Sequence, residues 1–333
     1  WQHRLQNKYH MQTEILDYRF STQWDLETIL TDETFIANLQ PKFPLISTSI
    51  SNRELNSIEN CWNDYNRGKL QGRPRDVLDA FPGGFSRRVG NYLGLSGESI
   101  LMNASCSSAL YSFHMASMYS QTLNTPVVVV CADNVNHPFD LWRFSSLGAL
   151  SNETGRPFDS TSKGFKMGTG IAMFLVKHPS VKHHLAPVAT ITNSVFYTNN
   201  SLMTGPGDVD DILNNLPGIN YKAVDFWNAH ATGTPVGDKV EYDMFQKTIK
   251  QDIPIVSYKG HIGHSICAAG AMELAMALDG KKNNILLPNN ILGEKIVNDD
   301  RIITEQMAFP FKKMLKASLG FGGKTAVAEI DLY

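Results

Sequence analysis

Residues 98–105 read Glu-Ser-Ile-Leu-Met-Asn-Ala-Ser and run directly into Cys106-Ser107-Ser108-Ala109. The short apolar segment is of strand type and ends at the cysteine. Beyond Cys106, small residues give way to Leu110, Phe113, Met115, Met118 and Tyr119 at helical spacing, so a helix is expected over 107–121. Pro126-Val127-Val128-Val129-Val130-Cys131-Ala132 then reads as a buried strand. Strand, cysteine, helix and strand in that order make a βαβ unit. Such a unit requires a parallel sheet with helices on its faces.

The pattern extends in both directions. Residues 44–50 form another short apolar strand followed by polar loop residues. In the second half, 186–192 and 223–228 read as strands, 236–249 as a helix and 253–257 as a strand. Residues 268–278 form an apolar helix rich in small residues, suited to close packing. Two strands, 314–321 and 325–331, close the chain around a glycine turn, hairpin-like. No internal sequence repeat or low-complexity linker is visible, so the halves are expected to pack intimately.

Composition narrows the function classes. The 333 residues are 42% hydrophobic and 19% charged, as in ordinary globular proteins. A formal net charge of −2 without a polybasic run argues against nucleic-acid binding. The apolar run at 126–132 is far short of the ~20 residues of a membrane-spanning helix, so no membrane association is expected. Residues 1–5 (Trp-Gln-His-Arg-Leu) carry no apolar signal core. Cysteines at 61, 106, 131 and 267 have no close pairing, which suits reduced thiols and a cytoplasmic location. With no Cys-x-x-Cys or His-x-x-x-His pair beside them, no metal is expected.

Three further stretches carry chemistry. They are Asn228-Ala229-His230-Ala231-Thr232-Gly233-Thr234-Pro235, Lys259-Gly260-His261-Ile262-Gly263-His264 and Gly320-Phe321-Gly322-Gly323. Cys106 at a helix N-terminus is expected to have a lowered thiol pKa. His264, ahead of the apolar helix, is expected to stay neutral, as a hydrogen-bond donor to an oxyanion or enolate must be. The glycine turn exposes backbone amides that would complete an oxyanion hole with the amide of Cys106. Cys61, Cys131, Cys267 and His261 read as structural.

Together these stretches resemble the elongating β-ketoacyl-[acyl-carrier-protein] synthases, the Cys-His-His condensing enzymes of the thiolase-like superfamily. The matching pieces are Asn103–Ala109, Gly155-Arg156-Pro157-Phe158-Asp159, Asn228–Glu241, Lys259–Glu273 and Gly320–Gly323, in family order. The resemblance implies an α/β thiolase-like fold, in which two similar βαβαβαββ halves pack into a five-layered αβαβα architecture. The expected halves are 1–177, with the nucleophile Cys106, and 178–333, with both histidines. It further implies decarboxylative Claisen condensation of an acyl thioester with a malonyl thioester in fatty-acid, polyketide or polyene synthesis. Cys106 would be acylated, and His230 and His264 would donate hydrogen bonds to the thioester oxygen. Lys259 would orient the site by its charge, while Glu273, Asp238 and Glu241 would give structural support. Thr232 and Thr234 would contact the phosphopantetheine arm, and Phe321 would supply an oxyanion-hole amide and gate the acyl pocket.

The same resemblance implies no cofactor bound by the enzyme itself, since its substrates ride on the phosphopantetheine of acyl carrier protein. The implied partners are that carrier and a second ketosynthase-like subunit, as a homodimer or heterodimer. A non-catalytic, chain-length-factor-like subunit is the alternative, although such subunits usually lose the cysteine. Departures from the family pattern are Thr169 where Gly-Glu-Gly would place glutamate, Lys324-Thr325 for Thr-Asn, and Ala231 and Cys267 for glycines. Lys259-Gly260-His261 stands where Lys-Ser-Met is typical. No Val-x-x-Thr-Gly strand is legible in the first 43 or so residues. Either Met11–Asp17 substitutes for it, or the chain starts late.

Overall fold

The computed structural model describes residues 11–333 apart from 25, 50–52, 70–71, 80, 82, 136 and 200–206. The reading of residues 1–5, and the last position of the 44–50 strand, lie outside the described residues. Twelve strands are present among the described residues: β1 (Thr13–Ser21), β2 (Leu45–Thr48), β3 (Ser99–Leu101), β4 (Val127–Asn134), β5 (Thr169–Lys177), β6 (Ala189–Thr198), β7 (Phe226–Asn228), β8 (Ile255–Val256), β9 (Ile285–Leu286), β10 (Met307–Ala308), β11 (Lys313–Gly320) and β12 (Lys324–Leu332). β9 and β10 form a separate small ribbon, and the others join in the order β3-β2-β4-β5-β1-β6-β12-β11-β7-β8.

That order holds a repeat which the residues do not display. Counted from the outer edge, β1–β5 lie in the order 3-2-4-5-1. With β6, β7, β8, β11 and β12 numbered one to five, the other half also runs 3-2-4-5-1. β2 is parallel to β3 and β4, and β7 is parallel to β8 and β11. The fifth strand of each half, β5 or β12, is antiparallel to both neighbours. Among the described residues the half-sheets are joined where Thr13–Ile15 of β1 pairs with Ala189–Ile191 of β6.

A first strand, central in the sheet, is therefore supplied by Thr13–Ser21, which overlaps Met11–Asp17. It eluded pattern reading because Glu14, Asp17 and Arg19 interrupt its apolar residues. Those charges are accommodated by ion pairs, Lys177 with Glu14 and Arg19 with Asp17, and by a bulge between Ile15 and Asp17.

Five layers follow from the alternation of side chains in each strand. In β4, Val127, Val129 and Cys131 face a core shared with Ala109, Leu110 and Phe113 of the helix Ser108–Leu123 and Ala271, Leu274 and Leu278 of the helix Ala269–Asn283. Ala326, Ala328 and Ile330 of β12 enter the same core from the second half. Val128, Val130 and Ala132 face the opposite side, against Phe85 and Val89 of the helix Gly84–Tyr92. Likewise Trp227, Leu315 and Val327 pack outward against Met244 and Phe245 of the helix Pro235–Thr248. Both faces are covered, so β4 is a continuous apolar run. This is the thiolase-like arrangement. No described helix is long and apolar enough to cross a membrane.

Candidate active site

Cys106 lies in a tight turn between β3 and the helix Ser108–Leu123. Ser105 adopts φ +54°, and its amide donates to Asn103 Oδ1 at 3.1 Å. Ser108 Oγ donates to the Ser105 carbonyl at 2.6 Å and accepts from the Ala104 amide at 2.8 Å. Ser107 Oγ, at the helix N-cap, donates to the carbonyls of Ser318 (3.1 Å) and Lys324 (2.8 Å). This ties the nucleophile turn to the β11–β12 hairpin. The approach is close: a methyl built on Gly320 would lie 3.2 Å from the Cys106 nitrogen, so the turn would have to give by a few tenths of an ångström. The amides of Phe321 and of Cys106 itself are directed at the sulfur.

His264 is fixed by its backbone: its amide donates to the Lys166 carbonyl at 2.8 Å, and its carbonyl accepts from Gly168 at 3.0 Å. Its Nε2 lies 3.1 Å from Cys106 Sγ. His230 enters from the end of β7, its ring edge-on to His264 at 5.4 Å between centroids. One atom from each of Cys106, His230 and His264 falls within a 4.8 Å cluster. Phe165 closes one side, edge-on to His264 at 5.2 Å.

Two carboxylates on one face of the helix Pro235–Thr248 grip the loop that carries His230. Glu241 accepts from the amides of His230 and Ala231, both at 2.6 Å, and from Trp227 Nε1 at 3.2 Å. Asp238 accepts from the amides of Thr232 (2.8 Å), Gly233 (3.1 Å) and Phe158 (2.8 Å). The Phe158 contact anchors the Gly155–Asp159 motif beneath the histidine loop. Behind the histidines, Lys259 Nζ lies 2.7 Å from Glu273 Oε2, with both side chains buried.

Lys316 is absent from the sequence reading. On β11, fully buried, it places Nζ 2.8 Å from the same Glu273 oxygen. The available signal was a lysine inside the otherwise uncharged run Met314-Leu315-Lys316-Ala317-Ser318-Leu319. A charge there must find a buried partner.

The electrostatics correct one expectation. Burial pushes the Cys106 thiol up to about 11, outweighing the lowering effects of Ser105, Lys259 and the Phe321 amide. The helix that was expected to lower it begins only at Ser108, with Ser107 as its cap. His264 is neutral as expected, though for another reason. Burial and then the charges of Lys259 and Lys316 hold it well below the ordinary imidazole value. His230 is lowered in the same way, with His264 adding to the effect. The resting state is thus a thiol beside two uncharged imidazoles. Burial also lowers Lys316 to about 8 and raises Asp238 to about 7.

A cleft of about 440 Å³ opens onto the sulfur. Its walls include Thr232 and Thr234, whose hydroxyls are 3.0 Å apart, and Phe321 stands at its inner end beside Cys106. Phe144 packs against Phe321 with ring centroids 6.1 Å apart. All nine remaining sequence-predicted residues lie at the cleft or directly behind it: Cys106, His230, His264, Lys259, Glu273, Asp238, Glu241, Thr232 and Thr234.

Comparison with known proteins agrees with this geometry. The family model "Beta-ketoacyl synthase, N-terminal domain" matches residues 45–181, and "Beta-ketoacyl synthase, C-terminal domain" matches residues 209–290. Highly reducing polyketide synthase 19 of Pyricularia oryzae is 28% identical over 247 residues, covering 68% of this chain and 10% of that protein. Prosolanapyrone synthase of Alternaria solani is 28% identical over 278 residues, covering 74% of this chain and 10% of that protein. The chain therefore spans about a tenth of the length of these curated relatives. Among solved structures, a β-ketoacyl synthase from Burkholderia phymatum superposes with a TM-score of 0.78 at 19% identity, covering 92% of this chain and 80% of that one. A type II polyketide ketosynthase in complex with its acyl-carrier protein gives 0.76 at 18% identity, covering 92% and 83%. The ishigamide ketosynthase/chain length factor gives 0.71 at 19% identity, covering 89% and 77%. With both family models matched in order around one cysteine and two histidines, the chain belongs to the β-ketoacyl synthase family.

Proposed function

We propose that this chain catalyses decarboxylative Claisen condensation, joining an acyl group to a malonyl unit carried on acyl carrier protein, within polyketide synthesis. The observation that carries the reading is the convergence of one thiol, two uncharged imidazoles and two backbone amides at the closed end of a single cleft. The two repeats that build it would meet between Lys177 and His178.

In the first half-reaction Cys106 Sγ attacks the acyl thioester carbon. The S–C bond to Cys106 forms, the bond to the carrier's phosphopantetheine sulfur breaks, and the thiol proton passes through His264 Nε2 to that leaving sulfur. A thiol held near 11 cannot ionise beforehand in bulk, so attack and proton transfer to Nε2 are coupled. The amides of Cys106 and Phe321 hold the tetrahedral oxyanion, a type of interaction worth ~3–4 kcal/mol per donor.

In the second half-reaction the malonyl thioester occupies the same cleft, its arm along Thr232 and Thr234. Its carboxylate leaves as CO2, and the electron pair passes into an enolate whose oxygen accepts hydrogen bonds from His230 and from His264, the latter now in its Nε2–H tautomer. The enolate carbon attacks the acyl-Cys106 carbonyl, a C–C bond forms, and the Cys106 sulfur leaves as thiolate and takes up a proton from solvent, restoring the resting thiol. Uncharged imidazoles suit this step, because they donate without holding the proton needed to quench the carbanion.

Acyl carrier protein and a second ketosynthase-like chain are the proposed partners. Intact-protein mass spectrometry after incubation with an acyl-carrier-protein thioester tests the reading. An acyl adduct on the wild-type chain, discharged to a β-ketoacyl product by malonyl-carrier protein, is expected. Equal labelling of the wild type and Cys106→Ala would refute it.

A further inference from the structure

We propose that Lys316 is a positioning residue for this reaction: its ammonium, clasped between Glu273 and the Ala317 carbonyl, locks together the three segments that deliver His230, His264 and Phe321. This rests on the condensation reading of the site. The argument is geometric first. Lys316 lies on β11 directly opposite Asn228 of β7, and β7 leads in two residues to His230. Four residues further along, β11 ends at Gly320, where the Phe321 turn begins. Its Nζ donates to Glu273 Oε2 (2.8 Å) and to the Ala317 carbonyl (2.9 Å), and reaches the carbonyl of Ala229, next to His230, at 3.5 Å. Glu273 in turn holds Lys259, which begins the short helix leading to His264. One ammonium therefore contacts β11, the residue that follows β7 towards His230, and the helix whose Glu273 holds Lys259.

Charge adds a second effect. Glu273 meets two ammonium groups with one carboxylate, and Glu241 is the other carboxylate whose charge acts on Lys316. The groups acting on the two imidazoles are Lys259, Lys316, Cys106 and each other. Tyr258, also buried, faces Glu273. Both lysines oppose protonation of both histidines. Removing the Lys316 charge leaves Lys259 balanced by Glu273 and so raises imidazole basicity. Removing the Glu273 charge does the opposite.

The test is 13C NMR of the full chain labelled at its ten histidines, with signals assigned by their loss in His230→Ala and His264→Ala. Lys316→Met is expected to raise the titration midpoints of both histidines by about one pH unit, a tenfold change in proton affinity. Glu273→Gln is expected to leave them at or below their wild-type positions. Lys316→Met should also move the acid limb of the kcat–pH profile upward by about one pH unit, with KM for the carrier thioester unchanged, and Lys316→Arg should restore the wild-type pH profile. Midpoints unchanged in Lys316→Met, or moved in the same direction by Glu273→Gln, would overturn the proposal. Should the Met variant not fold, Lys316→Gln replaces it, and failure of both to fold would assign Lys316 to stability alone. The NMR readout needs no turnover, so a wild-type chain that titrates as expected yet makes no product removes the condensation reading rather than the effect of Lys316 on the imidazoles.

Discussion

The sulfur of Cys106 lies 3.1 Å from Nε2 of His264, although 158 residues of chain separate them. The contact is between a thiol raised by burial and an imidazole lowered by burial and two lysines, so the pair is uncharged at neutral pH. On the proposed reading, reactivity would be released by substrate and proton transfer rather than stored as a resting thiolate.

Alkylation of Cys106 by iodoacetamide should accordingly be slow at pH 7 and rise about tenfold per pH unit through pH 9 without a plateau. Thiolate is the reacting form, and its fraction grows with pH until the thiol midpoint of about 11 is reached. Peptide mapping of the modified chain against pH measures this. A plateau below pH 8 would mean a resting thiolate.

His230 and His264 should separate the two half-reactions. His264→Ala loses both acyl transfer to Cys106 and malonyl decarboxylation, because its Nε2 touches the sulfur. His230→Ala retains acyl transfer within about tenfold but loses decarboxylation by roughly a hundredfold or more. Single-turnover acylation and CO2-release assays on both variants check this, and equal acylation by the two would contradict the geometry.

Glu273→Ala removes the carboxylate that contacts Nζ of both Lys259 and Lys316 and leaves two ammonium groups buried without it. Stranding a buried partner typically costs about 3–5 kcal/mol. Chemical denaturation should show a loss of that size, whereas Cys106→Ala should stay within about 1 kcal/mol of wild type.

Gly320→Ala tests the closeness of the nucleophile turn and the hairpin. The added methyl would stand 3.2 Å from the Cys106 nitrogen and 3.3 Å from the Ala104 carbonyl. Displacing the Phe321 amide should lower kcat by about ten- to a hundredfold with little change in KM. Steady-state kinetics would show it, and an unchanged kcat would remove that amide from the oxyanion hole.

Sequence reading was strongest where one residue type had one available role. The Val127–Val130 run, the small residues around Cys106 and the apolar helix within Ala269–Asn283 satisfy local rules, and each became the expected element. The helix grew by five residues, to Asn283, and the strand expected at 186–192 was found at Ala189–Thr198. Local propensity sets the type of an element, while pairing partners set its ends. Thr13–Ser21 was illegible because its charged residues make sense only beside Lys177 and at its bulge.

By itself the sequence pointed to the residues that the fold gathers at the cleft, and to strands and helices alternating around the parallel strands, whereas the antiparallel pairings of β1, β5 and β6 were not legible in it. Periodicity and side-chain identity are properties of neighbours along the chain. Tertiary structure alone decided the twin 3-2-4-5-1 order, the protonation of the site and the presence of Lys316 in it. Burial and the sharing of one carboxylate by two lysines arise between segments far apart in sequence. A helix dipole legible from Cys106 and its neighbours pointed to a lowered thiol; enclosure by residues more than a hundred positions away raised it instead.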